Sequence, residues 1–203
     1  MNINARGLFG KTMLLNSISY MYETENNVIP KEQRLQFMDF LITQGADLNP
    51  KTDCWTEVPI LGAASSKIGP DIIELFLKHG VDINSAHSST GLTAFHLAAW
   101  NGYQNTVNFL VKQKNIQLNK QDKEGKTPLI GAAFREYAKV VKTLVKNGAD
   151  ASIQDESGRT ALEYTFSCGT EEKGWETINK LLKYNKQARK ELYSRHYGKK
   201  AWL

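Results

Sequence analysis

Eight residues near the start of the chain, "ARGLFGKT" from Ala5 to Thr12, have the spacing of a phosphate-binding loop: a small residue, four others, then Gly-Lys-Thr. In such a loop, backbone amides and the lysine cradle phosphate oxygens while the hydroxyl holds magnesium. That chemistry needs a buried strand before the loop and a helix opening after it. Only "MNIN" precedes Ala5, and it cannot be that strand. "GKT" also recurs at Gly125–Thr127, which favours a structural reason for the tripeptide. The histidines stand at positions 79, 87, 96 and 196, with no His-Cys or His-carboxylate spacing that suggests zinc. Cys54 and Cys168 are two thiols far apart, neither a disulfide framework nor a metal cluster. No Ser-His-Asp or Cys-His arrangement has local support. The expectation is a non-enzyme with no cofactor and no metal site, in a reducing, cytoplasmic setting.

Composition sets the remaining bounds. A chain of 203 residues, 41% hydrophobic and 23% charged, can bury a substantial core as one soluble domain. No window approaches the roughly 18–20 apolar residues of a membrane span. The first twenty residues carry no small-residue cleavage pattern, so no secretory signal is read. The net charge of +5 is uneven: from Lys173 onward nine Lys or Arg face Glu176 and Glu191, a net of +7, leaving −2 for the first 172 residues. Attraction of an anionic partner by net charge therefore concerns the C-terminal end and not the body, where Lys126, Arg135 and Arg159 would set a local charge preference.

The elements that would position any site come from an internal repeat. "GLTAFHLAAW" (Gly91–Trp100) and "GKTPLIGAAF" (Gly125–Phe134) share the Thr, the Ala-Ala and a closing aromatic. "TEVPILGAAS" (Thr56–Ser65), "SGRTALEYTF" (Ser157–Phe166) and "GKTMLLNSIS" (Gly10–Ser19) follow more loosely. The slot of Pro128 falls at Met13, Pro59, Ala94, Pro128 and Ala161, in steps of 46, 35, 34 and 33. A second, Leu-rich motif follows four of the copies, as in "LFLKHGVDIN" and "LVKNGADAS". Thr before Pro predicts a capped helix whose first position suits proline. The Ala pairs at 63/64, 98/99 and 132/133 let helices approach closely. Gly45, Gly80 and Gly148 are left-handed helix ends, with Asn115 expected in that slot of the third copy. The segments that start at Asp122 and Asp155 are turn chemistry.

On these residues the chain resembles the ankyrin repeat family over about residues 4–185. The resemblance implies an all-α repeat solenoid: an ankyrin helix-loop-helix stack with β-hairpin fingers along one side. Five repeats are expected at about 4–49, 50–84, 85–119, 120–152 and 153–185, forming one ankyrin repeat domain over 1–185. The first carries an insertion around Met21–Gln33, which extends a helix or forms a loop. Residues 186–203 are expected to form a basic C-terminal capping helix and tail. Its Tyr193, Tyr197 and Trp202 lie among Arg195, Lys199 and Lys200, which leaves contact with nucleic acid or an anionic surface as the alternative function.

Function is likewise what the resemblance implies: a non-catalytic module that binds a protein partner through its concave finger and first-helix surface. An inhibitor, immunity protein, secreted effector or adaptor of bacterial or viral type would fit, monomeric when alone. The carried-over contact residues are Trp55 and Glu57 in the second repeat, and Ser89, Leu92, Trp100 and Asn101 in the third. The fourth supplies Lys123, Lys126, Phe134 and Arg135, and the fifth Arg159. Large aromatics and Arg dominate binding hot spots, and the Ala and Leu positions already supply the core. The competing reading has Trp100 and Phe134 stack on each other and fill the groove without a partner. His96 falls in the slot where the family favours a structural, hydrogen-bonding histidine.

Overall fold

The threonines of the repeat start helices by supplying a side-chain oxygen to an amide that has no partner inside the helix. In the computed structural model Thr127 is extended, its Oγ1 accepts from Ile130 N–H at 3.3 Å, and Pro128 takes the first helical position. Thr12 does the same for Leu15 N–H. In the third repeat the bonding becomes reciprocal. Thr93 Oγ1 accepts from His96 N–H, and His96 Nδ1 accepts from Thr93 N–H at 3.2 Å. His96 therefore performs at the third helical position what Glu performs in a capping box. Because Nδ1 accepts a backbone N–H, the ring proton resides on Nε2. Glu163 reaches back to Thr160 N–H at 2.8 Å in the corresponding place of the fifth repeat.

The structure describes residues 2–7, 11–19, 29–50, 52, 54, 57–66 and 68–167, with Thr177, Leu181 and Lys183 beyond them. Among these, the helices are α1 (Met13–Ser19), α2 (Lys31–Thr43), α3 (Pro59–Ala64), α4 (Gly69–Lys78), α5 (Ala94–Trp100), α6 (Gln104–Leu110), α7 (Pro128–Phe134), α8 (Ala138–Lys146) and α9 (Ala161–Ser167). The expected helix-loop-helix order is therefore observed. None exceeds 13 residues, too short to persist alone in water, so packing holds them. The chain divides into two compact units, Met1–Leu97 and Ala98–Leu203, with the division inside α5.

In the first unit α1 packs on α2 and α3, and α4 packs on α3 and α2. Leu14, Met38, Leu41, Ile60, Leu61, Ile72, Phe76 and Phe95 form its core, and Ala63 and Ala64 are fully buried. Lys31 and Asp71 join α2 to α4 at 2.9 Å, and His79 Nε2 meets Asp39 Oδ1 at 2.7 Å. Lys31–Gln33, the end of the expected insertion, is the first turn of α2; residues 21–28 lie outside the described residues.

In the second unit α7 packs on α8 and α9, and α6 on α8. Ala98, Ala99, Ala132 and Ala133 are fully buried, beside Leu110, Leu129, Ile130, Val141 and Leu144. The basic segment 186–203 lies outside the described residues.

Helix ends follow one recipe. Gly45, Gly80 and Gly148 have φ of 89°, 81° and 93°. In each case the amide of the glycine and that of the next residue bond back to the last turn. Ala46 N–H reaches Leu41 O at 3.0 Å, Val81 reaches Phe76 at 3.1 Å, and Ala149 reaches Leu144 at 3.1 Å. These are Schellman closures, which need a residue at positive φ.

The third copy departs from this. Asn115 was expected in the left-handed slot, yet among the described residues the one non-glycine at positive φ is Glu136, at 57°. The helix α6 ends at Leu110, and residues 111–116 continue as tight turns, with Lys112 N–H on Phe109 O and Gln113 N–H on Leu110 O. The run Lys112–Asn115 is polar, so another turn of helix would bury nothing.

The fingers are tight turns. Asp122 N–H bonds Lys126 O and Asp155 N–H bonds Arg159 O, both at 3.0 Å. The side chains of the two aspartates accept the amides across the turn, at 2.8–2.9 Å. Among the described residues the one β-bridge is antiparallel, Ala86 to Thr93.

Candidate functional site

The expected contact residues of the second unit converge on three rings. Trp100, at the end of α5, and Phe134, at the end of α7, stack with centroids 5.2 Å apart and planes 22° apart. Phe134 in turn meets Tyr164 of α9 at 5.6 Å and 90°. Offset-stacked and edge-to-face pairs are the two geometries that the ring quadrupoles favour. Trp100 and Phe134 are half-buried and Tyr164 is buried. The Arg135 guanidinium lies 5.9 Å from the centre of the Trp100 ring, and that of Arg159 lies 4.3 Å from the centre of Tyr164. Both distances are within the range of a cation–π contact.

The expectation that packing does not require Trp100 needs correction. A Cβ placed on Gly131 would come within 3.3 Å of the Trp100 ring. Gly131 is buried in the middle of α7, where glycine costs about 1 kcal/mol relative to alanine. Its absent side chain makes the space into which the indole fits. Counting from the capping threonines, Gly131 and Tyr164 hold the same slot of successive repeats. That slot meets the closing aromatic of the repeat before it, in Trp100–Gly131 and again in Phe134–Tyr164. Sequence reasoning missed Tyr164 and Gly131; a lone glycine inside a helical pattern was the available signal.

Tyr164 is fixed at its hydroxyl, which donates to Asp155 Oδ2. Burial, then this hydrogen bond and the aspartate's charge, push the phenol up to about 12. Burial pushes Asp155 up, but the Tyr164 hydroxyl and the amides of Arg159 and Ser157 outweigh it, so the carboxyl lies below its ordinary range. One aspartate thus ties the turn of the finger to the ring at the end of the row.

Around the rings, Asn101, Lys123, Arg135 and Arg159 are exposed. Lys126 forms an ion pair with Glu124. In the first unit Ser89 is exposed and Leu92 half-buried. Glu57 is engaged internally: Arg6 grips both carboxylate oxygens, at 3.0 and 2.8 Å, and Thr52 Oγ1 donates at 2.7 Å. The Thr52 hydrogen bond and then the Arg6 hydrogen bond, against burial, hold its carboxyl below the ordinary range. Trp55 lies outside the described residues. Among the described residues no three His, Cys, Asp or Glu side chains are grouped to hold a metal ion, and no helix is long and apolar enough to cross a membrane.

Two models of ankyrin repeats match the chain, one of three copies over residues 29–122 and one of many copies over 110–164. Over 158 residues, 77% of the chain, it is 31% identical to the ankyrin repeat protein nuc-2 of Neurospora crassa. It is 30% identical over 60% of its length to alpha-latrocrustotoxin-Lt1a of Latrodectus tredecimguttatus. It is 29% identical over 71% of its length to the ankyrin repeat protein FPV031 of Fowlpox virus. The chain spans 14%, 8% and 44% of these relatives' own lengths. Ankyrin repeats are in general protein–protein interaction modules rather than enzymes. With the repeat period, the helix pairs and the matches over 29–164 in agreement, the chain belongs to the ankyrin repeat family.

Proposed function

We propose that this chain is a non-catalytic module that binds another protein. In the second unit the contact is made by Trp100, Phe134, Arg135 and Arg159, with Asn101, Lys123 and Lys126 around them. One observation carries the reading beyond the stacking that a filled groove would also give: the exposed Arg135 and Arg159 hold their guanidinia over the row at Trp100 and Tyr164. Aromatic and Arg side chains fixed before binding lose little freedom when a partner arrives. In the first unit Ser89 and Leu92 belong to the same proposal on the family pattern, as does Trp55. Glu57 contributes by holding Arg6 and Thr52 in place. An inhibitor or effector role is the finer part of the same proposal. A monomeric protein acting in the cytoplasm completes the reading.

The test is photo-crosslinking from a defined position in extract of the source cells. A crosslinking side chain at Asn101 is expected to capture a discrete protein, and one at exposed Lys142 on α8 is not. Capture from Lys142 alone would place the contact on the other helix layer of the second unit and end this assignment.

A further inference from the structure

The two guanidinia narrow the kind of partner. Neither Arg135 nor Arg159 forms an ion pair among the described residues, although carboxylates are close by in the sequence. Four of those carboxylates have other occupants, while Glu136, next to Arg135, turns one oxygen inward. Asp122 accepts the Glu124 and Lys126 amides, and Asp155 accepts two amides and the Tyr164 hydroxyl. Glu163 holds Thr160, and Glu124 holds Lys126. A guanidinium carries its N–H groups in one plane, the geometry that receives a carboxylate through two parallel hydrogen bonds.

Resting on the reading that this row faces the partner, we infer that the partner presents an extended acidic segment: carboxylates at both ends for Arg135 and Arg159, with apolar side chains between them against Trp100 and Phe134. The steps along the row are 5.9, 5.2, 5.6 and 4.3 Å from one guanidinium to the other. These steps bound the separation of the two guanidinia from above, and extended chain rises about 3.3 Å per residue, so a segment of no more than about seven residues reaches both. A single-stranded nucleic acid fits less well. Phe134 and Arg135 already engage the Trp100 ring, and Tyr164 is buried, which leaves poor platforms for bases.

The experiment is selection of a phage-displayed library of random dodecapeptides on the full chain, with the enriched peptides then measured by fluorescence anisotropy. The inference expects peptides with acidic residues flanking apolar ones. Their affinity falls about tenfold in Arg135→Gln and again in Arg159→Gln, and is partly kept in the Lys variants. Circular dichroism verifies that each variant is folded. Peptides that lose binding in Phe134→Ser but carry no acidic excess, or ignore both Arg→Gln changes, overturn the acidic partner and leave the surface standing. Peptides insensitive to all of these changes, or a selection that yields none, overturn the surface together with it. Tighter binding of a labelled poly-dT oligonucleotide than of any peptide, lost in the same Arg variants, replaces the protein segment with nucleic acid.

Discussion

The indole of Trp100 stacks on the ring of Phe134 at 5.2 Å, across 34 positions of sequence, and covers the bare backbone of Gly131. The two residues therefore hold the second unit together as well as facing outward. Trp100→Ala removes a half-buried indole and one ring pair, and is expected to destabilise the protein by about 2 kcal/mol. A urea titration followed by circular dichroism measures it. Gly131→Ala pushes a methyl against the indole and is expected to cost stability despite alanine's better helix propensity.

Glu136 occupies a slot that glycine fills one repeat earlier. Gly102 has φ of 72° and Glu136 has φ of 57°, and the Glu136 Oε1 is buried without a hydrogen-bond partner. A left-handed conformation costs a side-chain-bearing residue about 1–2 kcal/mol. Glu136→Gly is expected to raise stability by about 1 kcal/mol. Gly102→Ala should do the reverse, because its Cβ would lie 2.9 Å from the Tyr137 ring as well as at positive φ. Opposite shifts of the thermal midpoint test the pair.

Asp155 and Tyr164 bound the pH range from both ends. The native Asp155 carboxyl lies below its ordinary 3.8, so its contribution is complete above about pH 4 and is lost as pH falls through the native value. Tyr164 is displaced upward, to about 12, so the unfolded chain releases that proton first and stability declines from pH 10 to about 12. Denaturant midpoints across pH for wild type and Tyr164→Phe verify this. The variant should lose the alkaline decline specific to Tyr164 and about 1–2 kcal/mol at neutral pH, since Asp155 is left one donor short.

Thr127 carries the N-cap of α7 through a single hydrogen bond to Ile130 N–H. Thr127→Ala is expected to cost about 1 kcal/mol, while Thr127→Ser keeps most of the stability. Chemical denaturation of the two variants side by side separates the cap from any effect of side-chain volume.

Much of this was legible in the residues. Thr127 and Pro128 announce a helix start, Gly45, Gly80 and Gly148 announce ends, and the Ala pairs announce close helix packing, because each acts through its own backbone or size. Trp100 and Phe134 were legible as neighbours through the period of the repeat. Their partners Gly131 and Tyr164 were not, because which slot of the next repeat receives the ring is set by packing between helices and not by local preference. Glu136 was hidden for the opposite reason: its conformation is imposed by α7 and α8 on a residue that does not favour it. Asn115 misled because its tolerance of positive φ matters only where a helix reaches it, and α6 stops at Leu110.

The proposed contact puts the aromatic row of the second unit against a protein partner. Hydroxyl-radical footprinting of the free chain and of its complex with the partner crosslinked from Asn101 measures it most directly. Oxidation of Trp100 and Phe134 is expected to fall on complex formation, while that of Phe109 on α6 stays unchanged. Unchanged oxidation of both rings in a saturated complex would contradict it.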